Sequence, residues 1–394
     1  MQELALSDVR VIDLSRLVAG NMLTLQLADF GADVVKVEQP GKGDPLRAWR
    51  LRGMDLWWRE YARNKKSVTL DIASAAGQRI LKALIESADV LVENFVPGHL
   101  QKWGLSHERF LGWNSKLVVV SISAWGQDGP YRNRPGFGTL VEASSGLAAM
   151  TGFGDRPPTL PPIPIADMVA GLYGALSVMV ALHHADRSGH GQVVDLSLLE
   201  AIFSILGPVA AGHHLTGYVA PRNGNRSPNS APRNTYATRD GHWLALSAST
   251  PAMAEKLFKL LGLEGLLADE RFATNEARVR NGDETDRIVA EALAQLDLSD
   301  AMARFVEHGV AGAPVYDVAQ LMDDPHARAR GIVEKVVDPD YGEYPMHAPL
   351  PRMSGTPGRV RWLGPRLGAH NSEVFEALGL RAAEIEELKS KGVI

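Results

Sequence analysis

The sequence lacks cysteine altogether among its 394 residues. This absence excludes disulfide bonds, iron–sulfur clusters, thiolate zinc sites and a cysteine nucleophile. An excess of basic residues is lacking too, because 41 Lys and Arg stand against 46 Asp and Glu, which gives a formal net charge of −5. Proteins that bind nucleic acids usually carry a basic field, so the sequence predicts no nucleic-acid partner.

Signals for export or for a membrane are also missing. Gln2 and Glu3 occupy the place where a secretory signal peptide carries basic residues. The longest apolar run, residues 168–182, falls short of the ~20 residues that a membrane-spanning helix needs. We expect a cytoplasmic protein without a membrane partner, and we interpret the apolar run as a helix that is buried in a core or in an interface.

Common cofactor and metal motifs are absent from the sequence. None of the Gly-x-Gly pairs is followed by glycine three residues later, and there is no Walker A loop, G-x-S-x-G elbow or H-E-x-x-H helix. The doublets His183-His184 and His213-His214 place neighbouring side chains on different sides of a helix, which makes them poor chelating pairs. The sequence therefore predicts neither a metal site nor a dinucleotide-binding loop.

The first 125 residues alternate between strand-like and helix-like segments. Strand patterns cover residues 9–13, 33–38, 67–72, 89–94 and 116–123, and helical spacing covers residues 21–30 and 75–87. This alternation predicts right-handed crossovers and a mostly parallel sheet with helices on both faces, which is an α/β fold.

A second unit follows a long region that is rich in glycine and proline. A strand pattern at residues 242–248 precedes helical patterns at 255–261, 286–294 and 299–307. Residues 326–364 are typical of an extended return, and residues 372–391 predict one amphipathic helix.

Asp167 is the most informative single residue. It follows the proline-rich segment 161–166 and precedes the apolar helix. A structural interpretation makes it the N-cap, whose carboxylate accepts the free amides of the first turn. A functional interpretation is compatible with that position. The helix macrodipole would lower the pKa of the carboxyl group, and an ionised carboxylate in a dry site can act as a covalent nucleophile.

Short motifs that are weak individually occur in a fixed order along nearly the whole chain. They are Val11-Ile12-Asp13-Leu14, Val18-Ala19-Gly20, Gly31-Ala32-Asp33-Val34-Val35-Lys36-Val37-Glu38, Gly43-Asp44, Asn64-Lys65-Lys66-Ser67, Leu70-Asp71, Val92-Glu93-Asn94-Phe95, Pro97-Gly98, Ala166-Asp167, Gly189-His190-Gly191-Gln192 and Lys391-Gly392-Val393-Ile394. In this order the sequence resembles the class III CoA-transferases, the family of formyl-CoA transferase and the carnitine CoA-transferases, together with the related α-methylacyl-CoA racemases.

The resemblance implies an enzyme that moves CoA from an acyl-CoA to a free carboxylic acid, with Asp167 as the catalytic residue. The Asp167 carboxylate attacks the thioester, and a mixed anhydride forms as CoA thiolate leaves. The thiolate then converts the anhydride into an aspartyl-CoA thioester, from which a second acid takes the CoA. Acyl-CoA and a small carboxylic acid are thus the expected substrates, and no tightly bound cofactor is implied.

The resemblance also implies that CoA lies on the loops of the parallel sheet. Arg47 and Lys102 would pair with its phosphates, and the amides of Gly136 and Gly138 would stabilise oxyanions unless these glycines serve turn geometry alone. Gln39 stands where formyl-CoA transferase has arginine, which removes one charge. The implied contacts with CoA are Val18, Ala19, Gln39, Arg47, Leu70, Asp71, Ile72, Ala73, Asn94, Phe95, Val96, Lys102, Pro135, Gly136, Phe137 and Gly138.

Other activities remain open at this point. A racemase or epimerase of the same superfamily moves an α-proton between a histidine and an aspartate. Phe137 occupies the histidine position and cannot carry a proton, which favours CoA transfer. Acyl-CoA hydrolysis is a further alternative if water enters the site, whereas a non-catalytic acyl-CoA-binding protein would not require Asp167.

The family fold implies a Rossmann-like parallel-sheet large domain plus a smaller α+β domain, assembled as an interlocked homodimer. We predict that residues 1–206 form the N-terminal part of the large CoA-binding domain and that residues 207–234 form a crossing linker. Residues 235–325 then form the small domain, and residues 326–394 form the return crossing and the C-terminal part of the large domain. The active site would lie between the large domain of one subunit and the small domain of its partner.

Overall fold

A computed structural model describes residues 4–394, so Gln2 and Glu3 lie outside the described residues. The chain forms two units. The first consists of the residues up to Ala148, Leu160–Tyr218 and Gly331–Ile394, and the second consists of Ala149–Thr159 and Val219–Arg330. The crossing segment expected at residues 207–234 therefore contributes to both units.

The regular elements are numbered in chain order. The strands are β1 Arg10–Asp13, β2 Asp33–Glu38, β3 Lys65–Thr69, β4 Val90–Glu93, β5 Val118–Ser123, β6 Gln192–Ser197, β7 Arg233–Ala237, β8 Trp243–Ser247, β9 Gly312–Pro314, β10 Val333–Asp338 and β11 Gly342–His347. The helices are α1 Ala19–Asp29, α2 Leu56–Tyr61, α3 Ala75–Glu86, α4 His107–Trp113, α5 Gly138–Ser144, α6 Leu147–Met150, α7 Ile165–Ser188, α8 Leu198–Ser204, α9 Val209–Thr216, α10 Pro251–Leu260, α11 Asn275–Arg280, α12 Gly282–Leu293, α13 Leu298–His308, α14 Val318–Asp323, α15 Pro325–Arg330, α16 Asn371–Ala377 and α17 Ala382–Ser390. Short 3-10 helices lie at Pro45–Ala48, Leu100–Trp103 and Glu264–Leu267.

Six parallel strands build the sheet of the first unit in the order β3-β2-β1-β4-β5-β6. The strand order reverses at β1, where Ile12 pairs with Val35 on one side and with Leu91 on the other. This order confirms the predicted Rossmann-like sheet. In such sheets the switch point opens a crevice at the carboxyl ends of the strands.

Side chains that alternate along each strand build one core on each face of this sheet. Ile12 and Val35 pack with residues of α3, α4, α16 and α17. Val11 and Val34 face the other way and pack with residues of α1, α7 and α8. Because both faces are covered, the central strands β4 and β5 carry runs of buried apolar residues, as the three buried valines 118–120 show.

The edge of the sheet at β3 is covered by the segment 362–371, which is distant in sequence. The Asn64 amide donates to the Trp362 carbonyl oxygen at 3.0 Å, and the Thr69 amide donates to the Asn371 side-chain oxygen at 2.8 Å. The Ser67 backbone also exchanges two hydrogen bonds with His370. These contacts satisfy backbone groups that an edge strand leaves open, and they join the return segment to the first unit.

The C-terminal region differs from two expectations. Residues 326–364 include the antiparallel hairpin β10–β11 and are not extended chain throughout. Residues 372–391 form the two helices α16 and α17, so the prediction of a single helix was wrong. Gly379 separates them with φ +89°, a left-handed conformation that ends a helix. The apolar pattern concealed this break because Leu378 and Leu380 both pack against the core.

The second unit is built on the three-stranded antiparallel sheet β7-β8-β9. Tyr236 and Leu244 of this sheet pack with Phe258 of α10, Leu293 of α12 and Phe305 of α13. The unit has its own apolar core, which confirms the prediction of a smaller α+β domain.

Helix α7 carries the apolar run of the sequence. It has 24 residues and is long and apolar enough to cross a membrane. One side of it lies in the core of the first unit through Ala170, Val178 and Ala181. The opposite side is exposed in the single chain, where Leu176 is 60% exposed and Val180 is 62% exposed. The expected burial is therefore found on one side only.

Two glycines let α7 approach α1 closely. A Cβ on Gly171 would lie 2.6 Å from the Met22 Cβ atom and 3.0 Å from the Ala19 carbonyl oxygen. A Cβ on Gly174 would lie 2.4 Å from the Leu23 Cδ1 atom. Side chains at these two positions would push the helices apart, so the close contact depends on glycine at both.

Replacing Gly171 by alanine should destabilise the protein. The added methyl group forces Met22 or the whole of α1 to move, and we expect the free energy of unfolding in urea to fall by about 1–3 kcal/mol. Gly112→Ala in α4 is the matched control, because a Cβ there meets no atom within 4 Å. That control should keep its stability or gain up to ~1 kcal/mol from helix propensity. Equal stabilities of the two variants would contradict the close helix contact.

Candidate active site

A cleft of about 840 Å³ lies at the carboxyl end of the parallel sheet. The segment after β1 contributes Ser15 and Arg16, the segment after β2 contributes Gln39, and the segment after β4 contributes Phe95. Strands β1 and β4 flank the point at which the strand order reverses. The fold thus places the cleft where open α/β sheets bind their ligands.

The cleft brings together part of the predicted CoA contacts. Its lining includes Gln39, Arg47, Leu70, Asp71, Ile72, Ala73 and Phe95. The other predicted contacts lie outside this lining, namely Val18, Ala19, Asn94, Val96, Lys102, Pro135, Gly136, Phe137 and Gly138. Asn94 is nevertheless tied to the cleft, because its side chain exchanges hydrogen bonds of 2.7 and 2.8 Å with the Arg16 backbone.

Arg47 lines the cleft, but its guanidinium group already has partners. Nε and Nη2 donate to the two carboxylate oxygens of Glu38 at 2.7 and 2.8 Å, and Nη1 donates to the Pro365 carbonyl oxygen at 3.1 Å. The group also stacks over the Trp58 ring, 3.6 Å from its centroid. In this arrangement Arg47 fixes the loop after β2. Lys102, the other residue expected to pair with phosphate, is exposed on the 3-10 helix Leu100–Trp103.

Three exposed basic residues of the cleft were missed by the sequence analysis. They are Arg16, Lys42 and Arg50. Lys42 stands in the turn Gly41-Lys42-Gly43 directly after β2, and this glycine-flanked position was the available signal. Together these residues give the lining a positive charge that an anionic ligand can use.

Three aromatic rings form one wall of the cleft. Phe95 stacks on His99 with ring centroids 5.8 Å apart, and Trp103 stands edge-on to His99 at 4.7 Å. Glu93 anchors this wall from below, since its carboxylate accepts the Phe95 amide at 2.8 Å and lies 3.2 Å from the His107 Nε2 atom. The wall therefore offers a stacking surface beside the basic residues.

Asp167 lies in the first turn of α7, where three helices meet. Helix α7 begins at Ile165 with Pro164 at the N-cap. The N-cap interpretation of Asp167 was therefore wrong, and Asp167 is the third helical residue. The backbone amide of Ala19, at the start of α1, acts on its carboxylate and lowers its pKa. A Cβ on Gly138, at the start of α5, would lie 2.1 Å from the Asp167 Oδ2 atom, so a side chain there would displace the carboxylate.

Burial, followed by the nearby carboxylate of Glu142, raises the pKa of Asp167 to about 6. The amides of Ala19 and of Asp167 itself lower this pKa without outweighing those two effects. The lowered pKa expected from the helix macrodipole was therefore wrong, because desolvation and a like charge dominate. Glu142 was also missed by the sequence analysis. It is buried, and its carboxylate accepts the Ala166 amide at 3.1 Å.

The segment before α5 brings Gly136 and Phe137 next to the same site. A Cβ on Gly136 would lie 2.2 Å from the Ala124 Cβ atom, so close packing explains this glycine. Phe137 precedes Gly138 directly and is 63% exposed. Among residues 4–394, no group of three or more His, Asp or Glu side chains is arranged to hold a metal ion. The chemistry that this geometry offers is that of a partly buried carboxylate with a raised pKa.

Known proteins resemble this chain in sequence and in structure. The model of CoA-transferase family III matches residues 6–371. The succinyl-CoA–D-citramalate CoA-transferase of Chloroflexus aurantiacus is 42% identical over 99% of this chain and 98% of its own length. The succinate–glutarate CoA-transferase of Agrobacterium fabrum is 33% identical over 95% of each chain. A CAIB/BAIF family protein from Brucella suis has a crystal structure with a TM-score of 0.83 and 32% identity, covering 96% of this chain and 100% of that one.

The raised pKa of Asp167 predicts how the variant Asp167→Asn changes stability. The value of about 6 lies above the ordinary 3.8, so the wild type loses stability as the pH rises from about 4 through about 6 and the buried group ionises. Asparagine imitates the protonated acid and avoids this loss. We expect the variant to be about 1–3 kcal/mol more stable than wild type in urea above pH ~7, with no gain below pH ~4.

Asp186→Asn is the matched control, because Asp186 lies on the same helix but is exposed. It should show no comparable gain at high pH. If Asp167→Asn gave the same difference from wild type at every pH, the raised pKa of Asp167 would be contradicted.

Proposed function

Because the chain belongs to CoA-transferase family III, we propose that it moves CoA from succinyl-CoA to a small carboxylic acid through covalent intermediates on Asp167. The chain is a CoA-transferase that acts between an acyl-CoA and a carboxylic acid, as the sequence resemblance predicted. The observation that carries the mechanism is the partly buried Asp167 carboxylate, whose pKa is raised to about 6.

A carboxylate with a pKa of about 6 is ionised at neutral pH and is more basic than an ordinary aspartate, which makes it the better nucleophile. Its oxygen attacks the carbonyl carbon of the thioester, the carbon–sulfur bond breaks, and CoA leaves as thiolate. A mixed anhydride then joins Asp167 to the acyl group. The thiolate attacks the Asp167 carbonyl carbon and expels the donor acid as a carboxylate, so CoA remains on Asp167 as a thioester.

The second half of the reaction reverses these steps with the acceptor acid. The acceptor carboxylate attacks the aspartyl thioester and expels CoA thiolate, which forms a second anhydride. The thiolate then attacks the acceptor carbonyl carbon, and the Asp167 carboxylate is regenerated as the new acyl-CoA leaves. No water is consumed. The Ala19 amide, which lowers the pKa of Asp167, is the proposed donor to the oxyanion that develops there.

CoA is proposed to occupy the cleft at the carboxyl end of the sheet. The cleft volume of about 840 Å³ lies in the range of cofactor and substrate sites. Arg16, Lys42 and Arg50 would contact the phosphates, and the rings of Phe95 and Trp103 would contact the adenine.

The proposed acceptors are small dicarboxylic and hydroxydicarboxylic acids. Two full-length relatives are named for succinyl-CoA with D-citramalate and for succinate with glutarate. Both of these acceptors carry a second carboxylate besides the one that takes CoA. The relatives support succinyl-CoA as the donor and an acid of this size as the acceptor.

A homodimer is proposed from the apolar surface of the first unit. Leu172, Leu176 and Val180 of α7 are exposed, and so are Phe203 of α8 and Leu215 of α9. A patch of this kind usually marks an interface. A second copy of the chain is the proposed occupant, in the interlocked arrangement that the family resemblance implies.

Asp167→Asn should abolish CoA transfer. Incubation of wild type with succinyl-CoA and a mixture of D-citramalate, glutarate and other small acids should yield new CoA thioesters, read by mass spectrometry. In the variant we expect initial rates to fall by about a thousandfold or more, because the nucleophile is lost. Asp186→Asn serves as the folded control on the same helix and should retain the wild-type rate.

Three results would contradict this proposal. Wild-type rates in Asp167→Asn would exclude the nucleophile. Free CoA and succinate without any new thioester would indicate hydrolysis. Exchange of an α-proton of a chiral 2-methylacyl-CoA in deuterated water, again without a new thioester, would indicate racemase chemistry.

The interlocked dimer predicts that subunits do not exchange under native conditions. Light scattering should give twice the chain mass of 42.7 kDa at every concentration tested. Two differently tagged versions should form mixed dimers only after joint unfolding and refolding, because linked chains cannot separate while folded. Mixed dimers in native buffer would contradict the interlocking, and a monomeric mass would contradict the dimer itself.

A further inference from the structure

Buried charges lie beneath the cleft, and the proposed reaction assigns them no role. Lys36 lies 3.2 Å from Asp13 and 3.1 Å from Asp44, and Lys65 lies 3.5 Å from Asp13. All four side chains are almost completely buried. Burial lowers the pKa of Lys65 to about 7, against the opposing effect of Asp13. Buried ion pairs of this kind are weak evidence for added stability, so stability alone does not explain them.

Asn21 connects this network to the start of α1. The Lys65 ammonium group donates to both the carbonyl oxygen and the side-chain oxygen of Asn21, each at 2.9 Å. The side-chain amide of Asn21 donates in turn to the Leu17 carbonyl oxygen at 2.6 Å and to Asp44 at 2.9 Å. Asp44 also accepts the Leu17 amide at 2.9 Å. The network therefore binds both the amide and the carbonyl oxygen of Leu17.

Leu17 requires such a hold, because its backbone is strained. Its φ is +62°, in the left-handed region that a leucine rarely adopts. Strain of this kind persists only where the surroundings over-determine it, and it is concentrated at functional sites. Leu17 precedes Val18 and Ala19 directly. Ala19 lies against α7, because a Cβ on Gly171, one turn after Asp167, would stand 3.0 Å from the Ala19 carbonyl oxygen. The Ala19 amide also lowers the pKa of Asp167.

We propose that Asn21 and Lys65 are positioning residues, which hold the strained turn 15–19 so that the Ala19 amide stays aimed at Asp167 during transfer. The inference rests on the proposed function of Asp167. It gives a role to Asp44 and Lys65, which stand in two of the sequence motifs and which the reaction itself leaves unused. Because Ser15, Arg16 and Asp44 also line the cleft, the same network sets the floor of the cleft and the donor beside the nucleophile.

The other end of α1 supplies an internal comparison. Asp29 accepts two hydrogen bonds from Arg63, at 3.0 and 2.6 Å, and one from the Asn64 side chain at 2.8 Å. These groups are buried as well, and they too join α1 to the start of β3. In the described part of the chain, no hydrogen bond or ion pair joins these three residues to the turn 15–19. If buried polar groups only stabilised the fold, the two networks would have the same role. A positioning role would belong only to the network of Asn21 and Lys65.

The test compares Lys65→Met with Arg63→Met. Both variants remove one buried cation that anchors α1, and both should lower the melting temperature. In Lys65→Met we expect kcat for transfer at saturating substrates to fall by roughly 10- to 100-fold, the loss that a small misplacement of a catalytic group produces. In Arg63→Met we expect kcat to stay within about twofold of wild type, since the site geometry is preserved. Lys65→Gln, which keeps a donor for Asn21, should restore part of the lost kcat.

A second readout does not depend on turnover. The Ala19 amide lowers the pKa of Asp167, so displacing that amide should raise the pKa further. The stability gained by adding Asp167→Asn at high pH should then be larger in the Lys65→Met background than in wild type or in Arg63→Met. If Lys65→Met is too unstable to purify, Lys65→Gln is compared in the same way.

The outcomes separate the two proposals. Equal losses of kcat in Lys65→Met and Arg63→Met, with an equal stability gain from Asp167→Asn in both backgrounds, would overturn the positioning role. Absence of transfer by wild type would overturn the proposed function. In that case a larger stability gain in the Lys65→Met background would still support the link between Lys65 and the Asp167 carboxylate, and an unchanged gain would refute it.

Discussion

The close contact between α1 and α7 is the constraint on which the candidate site depends. Gly171 and Gly174 bring the two helices together, and this approach places the first residues of α1 beside the first turn of α7. Gly138 lies on the third side, where a Cβ would stand 2.1 Å from the Asp167 Oδ2 atom. The Asp167 carboxylate is consequently desolvated in part, which raises its pKa. The raised pKa follows from helix packing first and from the charge of Glu142 second.

Much of the fold could be predicted from the sequence, since local pattern carries that information. The first five strands of the parallel sheet needed only short apolar runs between helical segments, and the structure has them within a few residues of the predicted positions. Asp167 was found from its place between a proline-rich segment and an apolar helix. The environment of Asp167 could not be predicted, because Glu142 and Ala19 are distant in sequence and come close to it only through packing. Arg47 shows the same limit. The sequence does not reveal that the Glu38 carboxylate already binds the Arg47 guanidinium group.

The buried polar groups of the first unit divide into two kinds. Glu38 and Glu93 each accept a hydrogen bond from a backbone amide of the cleft, so their charge serves to fix its shape. Glu142 also accepts an amide, yet its charge acts on Asp167 as well. A carboxylate can thus be a fixed support and an electrostatic influence at once. Through this dual use, a residue with no place in the proposed reaction scheme raises the pKa of Asp167 in addition to the larger effect of burial.

The covered edge of β3 has a consequence for how the protein is made. The ribosome completes all six strands of the large sheet by Ser197, but the segment 362–371 that closes the edge is synthesised only after the whole second unit. Until then the nascent chain presents β3 as an open template for pairing with other chains. The second unit, which has its own apolar core, is synthesised in that interval, so the parallel sheet is completed long before its edge is covered. A polypeptide released before residue 362 would be prone to aggregation even though every strand of the sheet is present.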